Sequence, residues 1–390
     1  MSTAAPQSLR VKGDWLGAAP TQAVCHMLEE AGHQALFVGG CVRNALIGAA
    51  VSDIDISTDA RPERVVDLAA AAGFRAVPTG IDHGTITVVN GSIAHEITTF
   101  RRDVETNGRH AVVAFADGVE EDARRRDFTM NALYCDPRGL VIDPLGGMDD
   151  LVARRVRFID DPSARIEEDY LRILRFFRFH AWYGDPQGGM DAEALAAIAV
   201  HLDGLSGLSA ERVTSELRKL LAAPDPAPSV AAMRASGVLA RVVEGGDDRS
   251  LGPLVHLEQS IGVEPDAMRR LACLGGAPEA ALRLSRKEAA QVVRLREAVG
   301  AITGAGEMGY RMGDEGARDV LLLRAAVFET QLDAAALAQA ERGAAAQFPV
   351  KAQDLMPAYV GAALGAKLAE LEARWIASAF SLTREALLSA

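Results

Sequence analysis

Two aspartates one residue apart, Asp53 and Asp55, lie in the alternating stretch SDIDIS at positions 52–57. On a strand, side chains at i and i+2 leave from the same face. The spacing therefore predicts two carboxylates side by side, with Ile54 and Ile56 turned to a core. Like charges this close repel. A hard divalent cation relieves the repulsion, and Mg²⁺ suits such an open site because it keeps water and substrate phosphates among its ligands. Taken alone, the pair is equally the solvated face of an exposed strand. Gly39-Gly40, just upstream, adds a second feature. A glycine pair between strand and helix lets backbone N–H groups approach phosphate oxygens, and a helix start favours negative charge. Arg43 contributes a fork of donors in the same turn. Together these residues describe a nucleoside triphosphate held against metal-binding carboxylates. The P-loop pattern, GxxxxGK followed by Ser or Thr, is absent, and a Rossmann dinucleotide site is not expected.

The elements that must position these groups are legible around them. QALFV at 34–38 reads as a buried strand and VRNALIG as a short helix. PERVVDLAAAAG at 62–73 reads as a helix with Pro62 in its first turn and Gly73 at its end. GTITVVNG and IAHEITTF read as consecutive strands turning at Asn90-Gly91. Glu96 in the second strand alternates with apolar Ile97 and is a possible third carboxylate, while His95 is read as structural. Strand signals fade after about residue 143. IEEDYLRILRFFRFHAWY at 166–183 and AERVTSELRKLLAA at 210–223 are helical, PDPAP at 224–228 is a break, and only helices follow. The expected fold is an α/β head on a small mixed sheet, followed by an all-α remainder.

A chain of 390 residues has room for two to four domains. Its net charge of −12 excludes a uniformly basic coat for nucleic acid but not local binding, since arginines cluster at 124–126, 154–157 and 172–178. The four cysteines are far apart, with no CxxC and no zinc spacing, so a reducing cytoplasm is the expected compartment. The opening MSTAAPQSLR has no apolar signal core, no membrane span is expected, and no obligate protein partner is evident.

Five blocks, GGCVRN, DID, RRDFTMNAL, EEDYLRILRFFRF and ERVTSEL, run in this order between residues 34 and 221. The set resembles the bacterial-type CCA-adding enzymes and poly(A) polymerases, the class II tRNA nucleotidyltransferases, whose catalytic head is related to DNA polymerase β. The resemblance implies a nucleotidyltransferase head over 15–143, a helical base-recognition neck over 144–223, and a helical body and tail over 224–390 that binds tRNA. It implies addition of CCA to tRNA 3′ ends from CTP and ATP, with Mg²⁺ and release of pyrophosphate. Poly(A) addition, CC-only or A-only addition, and a silent RNA-binding relative remain open.

Residue by residue, the resemblance makes Asp53 and Asp55 the catalytic metal ligands and gives Gly39, Gly40 and Arg43 to the phosphates. Arg126 would face the triphosphate, and Asp127 would accept a hydrogen bond from the ribose 2′-hydroxyl. Asp169 and Arg172 match the pair that reads the incoming base. Cytosine and adenine each offer an exocyclic amine beside a ring nitrogen acceptor, which a carboxylate and a guanidinium satisfy; uracil and guanine mismatch both. Arg175 and Arg178 would hold the triphosphate or orient that pair, with Asp169 and Arg172 neighbours on one helical face. The segment 101–118 resembles a flexible loop linked to adding the terminal A. DPLGGMDDL at 143–151 resembles a hinge block, with Asp149 and Asp150 expected as caps. Where the family usually has aspartate, this chain has Asn44, expected to pack or to orient Arg43. Arg269, Arg270, Arg283, Arg286 and Lys287 are candidate tRNA contacts.

Overall fold

Residues 35–38 are apolar enough to be covered on both faces, and Leu36–Val38 forms an inner strand of a sheet. In the computed structural model, which describes residues 9–81, 84–107, 110–277 and 282–389, the chain divides into two compact units, Met1–Arg212 and Val213–Ala390. The first unit runs α1 (Asp14–Gly17), α2 (Ala19–Glu30), β1 (Leu36–Val38), α3 (Gly40–Leu46), β2 (Ile54–Thr58), α4 (Pro62–Ala71), β3 (Arg75–Gly80), β4 (Thr85–Asn90) and β5 (Ile93–Thr99). It continues through β6 (Arg101–Asn107), β7 (His110–Phe115), α5 (Val119–Arg124), β8 (Tyr134–Cys135), β9 (Val141–Ile142), α6 (Gly147–Val152), α7 (Pro162–Glu168), α8 (Leu171–Tyr183) and α9 (Ala192–Val200). Helix α10 (Ala210–Leu221) spans the division.

Seven strands form one mixed sheet in the order β3-β4-β5-β2-β1-β8-β9. Among the described residues, only β2 and β5 pair in parallel. Their register sets Asp55 beside Glu96 and Ile56 beside Ile97. Ile54, Ile56 and Ile97 are buried, so a one-residue slip would expose them and bury the acids. The alternation read from the sequence is thus what fixes the register at the site.

Two expectations change. The segment 101–118 is no loop: β6 and β7 pair antiparallel, with a register shift between Asp103 and Glu105, while residues 108–109 lie outside the described residues. RRDVETN has a single apolar residue, so its period of two was too weak to read. The long helix expected over 166–183 is broken at Asp169, whose extended backbone (φ −156°, ψ 103°) separates α7 from α8. Asp169 therefore does not share a continuous helical face with Arg172. Its Oδ1 instead accepts from the Leu171 amide at 3.1 Å, holding the start of α8.

An aromatic cluster fastens α8 to the RRDF block. Phe128 packs on Phe158 (5.0 Å between centroids) and Phe179 (4.8 Å), and Phe158 stacks on Phe176 (5.7 Å).

The named elements of the second unit, among its described residues, are all helices: α11 (Ala227–Ala235), α12 (Val238–Val242), α13 (Leu251–Ser260), α14 (Ala267–Leu274), α15 (Arg286–Gly300), α16 (Ala305–Val327), α17 (Ala334–Ala345), α18 (Ala352–Leu355), α19 (Gly361–Ala377) and α20 (Arg384–Leu388). GAGEMG at 304–309 has the glycine spacing of a dinucleotide turn but opens α16 with a helix, not a strand, before it. Gly309 serves packing: a Cβ on it would fall 1.9 Å from the Ala340 carbonyl oxygen of α17.

Arg269 and Arg270 are 2% and 1% exposed, which removes them as RNA contacts. Arg269 donates to Glu258 and Asp319, each at 2.7 Å. Arg270 donates to Glu258 at 2.9 Å and to the Leu221 carbonyl at 2.7 Å, closing the end of α10. The basic pair is thus a buried charge network, and Arg283, Arg286 and Lys287 stay exposed.

Candidate active site

Asp53 is exposed at the foot of β2, with the Ser52 hydroxyl donating to it at 3.1 Å. Asp55 is half-buried, and Glu96 is exposed on the adjoining strand. Among the described residues none of the three has an ion-pair partner. Burial first, then the charges of Glu96 and Asp53, pushes the Asp55 carboxyl up to about 6 against the pull of Arg126. Among the described residues no three His, Cys, Asp or Glu side chains are gathered so as to hold a metal by themselves. The edge is therefore an acidic pair with a carboxylate in register beside it, not a closed cage. Its donors are all oxygen and its like charges are uncompensated, which fits a hard divalent cation whose other ligands come from substrate and water.

The glycine turn stands between β1 and α3. Gly39 has φ +68°, a region that favours glycine, and its amide donates to the Leu133 carbonyl at 3.0 Å. A Cβ there would sit 3.5 Å from Arg126 Nη1. Arg43 faces inward behind this turn and is 5% exposed. Its guanidinium donates to Asn44 Oδ1 (2.9 and 3.2 Å), Asn131 Oδ1 (2.7 Å) and Tyr183 Oη (2.8 Å), and lies 3.9 Å from the Tyr183 ring centroid. Asn44 in turn donates to the Ala50 carbonyl at 2.8 Å, bracing the turn that leads to Asp53. A carboxylate at position 44 would lose that donor.

Arg126, Asp127, Asp169, Arg172 and Arg175 line one cavity of about 290 Å³, together with Asn131, Leu171 and Arg212. Gly39, Gly40, Arg43 and Arg178 lie outside its lining; Arg178 is half-buried, 4.7 Å from the Phe179 ring centroid. Arg126 is oriented by Asp122 (3.0 Å), Tyr134 Oη (3.0 Å) and Ser57 (3.3 Å). Asp127 is buried and accepts from Asn131, the Phe128 amide and Arg175. Burial opposes its charge, but Arg175 and Asn131 outweigh burial and hold the carboxyl down at about 2. Asp169 pairs with Arg212 at 2.6 Å. Arg172 pairs with Glu168 and donates to the carbonyls of Arg165 (2.8 Å) and Arg125 (3.1 Å).

Several of these partners escaped the sequence reading. The i, i+4 spacing of Asp122 and Arg126 was a local signal for one. Asn131 has the same spacing from Asp127, but its contact with Arg43, and those of Tyr183 and Arg212, had no such signal, because these partners are 43 to 140 positions away. In the hinge block, the cap is Asp143, which accepts from the Gly147 and Met148 amides at 2.8 and 2.9 Å. Asp150 is no cap: it is fully buried and accepts from Thr129 (2.7 Å), Arg155 (2.7 Å) and Arg157 (2.8 Å). Asp149 is exposed. His95 is buried between Thr21 and the Val88 carbonyl, as a structural histidine should be. No helix among the described residues is long and apolar enough to cross a membrane.

Residues 35–157 match the Poly A polymerase head domain, and residues 189–248 match the probable RNA and SrmB-binding site of polymerase A. The chain is 43% identical over 190 residues to the mitochondrial CCA tRNA nucleotidyltransferase 1 of Homo sapiens, covering 48% of this chain and 44% of that one. It is 38% identical over 219 residues to the CCA-adding enzyme of Geobacillus kaustophilus, covering 56% and 52%. The match thus spans about half the length of these curated relatives. Among solved structures, the Bacillus stearothermophilus CCA-adding enzyme in complex with CTP is similar over 94% of both chains, with a TM-score of 0.71 and 26% identity. A head on a mixed sheet, carrying these blocks in order and continued by helices, together with these matches, makes the chain similar to the CCA-adding enzymes and gives it the head domain of the poly(A) polymerases.

Proposed function

We propose that this protein adds C, C and A to the 3′ end of tRNA from CTP and ATP, without a nucleic-acid template and with release of pyrophosphate. The observation that carries the reading is the cavity that gathers residues 126–127 and 169–175 from two separate blocks. Its groups suit the parts of a nucleotide: Arg126 for the triphosphate, Asp127 for the ribose, and Asp169 with Arg172 for the amine and ring nitrogen of cytosine or adenine. The functions of the related proteins named above point the same way.

Asp53 and Asp55 would hold Mg²⁺, with Glu96 as a third oxygen donor. The bound cation would supply Lewis-acid stabilisation of the attacking and leaving oxygens. The rest of the work is positioning and electrostatics by the chain itself. The tRNA 3′-hydroxyl gives up its proton to solvent as its oxygen forms a bond to the α-phosphorus, the bond from that phosphorus to the oxygen bridging to the β-phosphate breaks, and pyrophosphate leaves with that oxygen. Gly39 and Gly40 keep side chains out of the path of the phosphates. Arg43, seated behind them, lends positive charge without contact. The domain plan is a head over 15–143, a neck over 144–223 and a body and tail over 224–390, with tRNA held through phosphate contacts on the body.

The test is incubation with tRNA lacking its 3′ CCA, Mg²⁺, and labelled CTP or ATP. Two C additions followed by one A, then arrest, support the reading. Long A tails would make it a poly(A) polymerase, and no incorporation would sink it.

A further inference from the structure

We propose that Arg175 takes part in sugar selection by leaving Asp127 when a ribose 2′-hydroxyl arrives. The inference rests on the reading of Asp127 as the ribose-facing carboxylate. An ionised carboxylate offers about four acceptor positions. On Asp127 these are already taken: Oδ1 accepts from the Phe128 amide (2.9 Å) and Asn131 Nδ2 (3.0 Å), and Oδ2 accepts from Arg175 Nε (2.7 Å) and Nη2. A fifth donor, the sugar hydroxyl, needs one of the four to withdraw.

Three observations single out the one that does. The Phe128 amide belongs to the backbone and is fixed by the aromatic cluster around its ring. Asn131 is pinned from its other end, since its Oδ1 accepts from Arg43 Nη1 at 2.7 Å and Arg43 is itself held by Asn44 and Tyr183. Flipping the amide would set its NH₂ against a guanidinium. Arg175 is the remaining donor, on a long side chain 29% exposed at the cavity wall. It gives two bonds to one oxygen, so it can surrender one or both to a hydroxyl and turn its charge to the anionic nucleotide. A deoxynucleotide has no hydroxyl to make the exchange, and Arg175 stays on Asp127. Sugar choice is then coupled to the grip on the nucleotide's charge.

The experiment compares kcat/KM for CTP over dCTP in the wild type and in Arg175→Lys, with tRNA lacking its 3′ CCA. Lysine keeps the charge but not the fork, so its hold on Asp127 leaves an acceptor position free with either sugar. The CTP/dCTP ratio is expected to fall by about tenfold or more, chiefly through CTP. Equal losses on both nucleotides, with the ratio within about twofold of wild type, would make Arg175 a structural prop and overturn the proposal. Crystals of the unaltered protein soaked with CTP or dCTP give a second readout. Opening of the Arg175–Asp127 contact with CTP alone supports the exchange; an intact contact with both refutes it. If the wild type incorporates neither nucleotide, the reading of the function fails, and the soaked crystals still decide the exchange.

Discussion

The acid edge and the arginine cavity belong to the same unit and treat charge in opposite ways. Among the described residues, Asp53, Asp55 and Glu96 meet no cation within ion-pair distance. In the cavity, Asp127, Asp169, Arg126 and Arg172 each have an oppositely charged protein partner. The edge is incomplete until a ligand supplies positive charge. The cavity is complete without a ligand, so a nucleotide entering it would have to exchange contacts. The two aspartates at the centre of each region record this: Asp55 is pushed up to about 6 and Asp127 held down at about 2.

The largest effect should come from emptying the edge. Asp53→Ala or Asp55→Ala is expected to lower nucleotide incorporation by about 10³-fold or more, while tRNA binding in a filter or shift assay stays near wild type. Retained turnover would break the comparison on its acidic side. On the other side, Arg172→Ala should reduce the preference for CTP and ATP over UTP and GTP by about 100-fold, read from misincorporation; unchanged exclusion of UTP and GTP would remove Arg172 from base reading.

The contrast also sets opposite pH signatures on stability. The Asp55 pKa is raised, so the stability it allows is full below about 4 and is lost as pH rises through about 6. Asparagine cannot ionise. Asp55→Asn should therefore stabilise the metal-free protein by about 2 kcal/mol at pH 8, a gain that fades between pH 6 and 4. The Asp127 pKa is depressed, so its stability is present above about 4 and is lost as pH falls through about 2. Asp127→Asn should cost about 2 kcal/mol at pH 8. Thermal melts of the two variants moving in the same direction would contradict the comparison. The smallest effect belongs to Asn44→Asp, which gains a charge on Arg43 but loses the donor to Ala50; kcat/KM should change by less than about tenfold.

What the sequence disclosed was what neighbouring residues determine. The DID spacing and the burial of Ile54 and Ile56 set the acid pair, and Gly39-Gly40 marked the turn where φ is positive. The blocks around Asp127 and Arg175 could be found separately, but not their contact. That contact depends on Phe128 packing against Phe179 and on the chain break at Asp169, both settled by tertiary structure. Arg269 and Arg270 show the converse error. A basic pair on a helix suggests a surface, yet Glu258 and Asp319 come from other helices to bury it.

The most direct measurement is the anomalous-scattering map of crystals soaked with CTP and Mn²⁺ in place of Mg²⁺. The expected result is a peak in contact with carboxylate oxygens of both Asp53 and Asp55 and with the nucleotide phosphates. A nucleotide bound in the cavity with no metal at those two carboxylates, or with the metal elsewhere, would contradict the account.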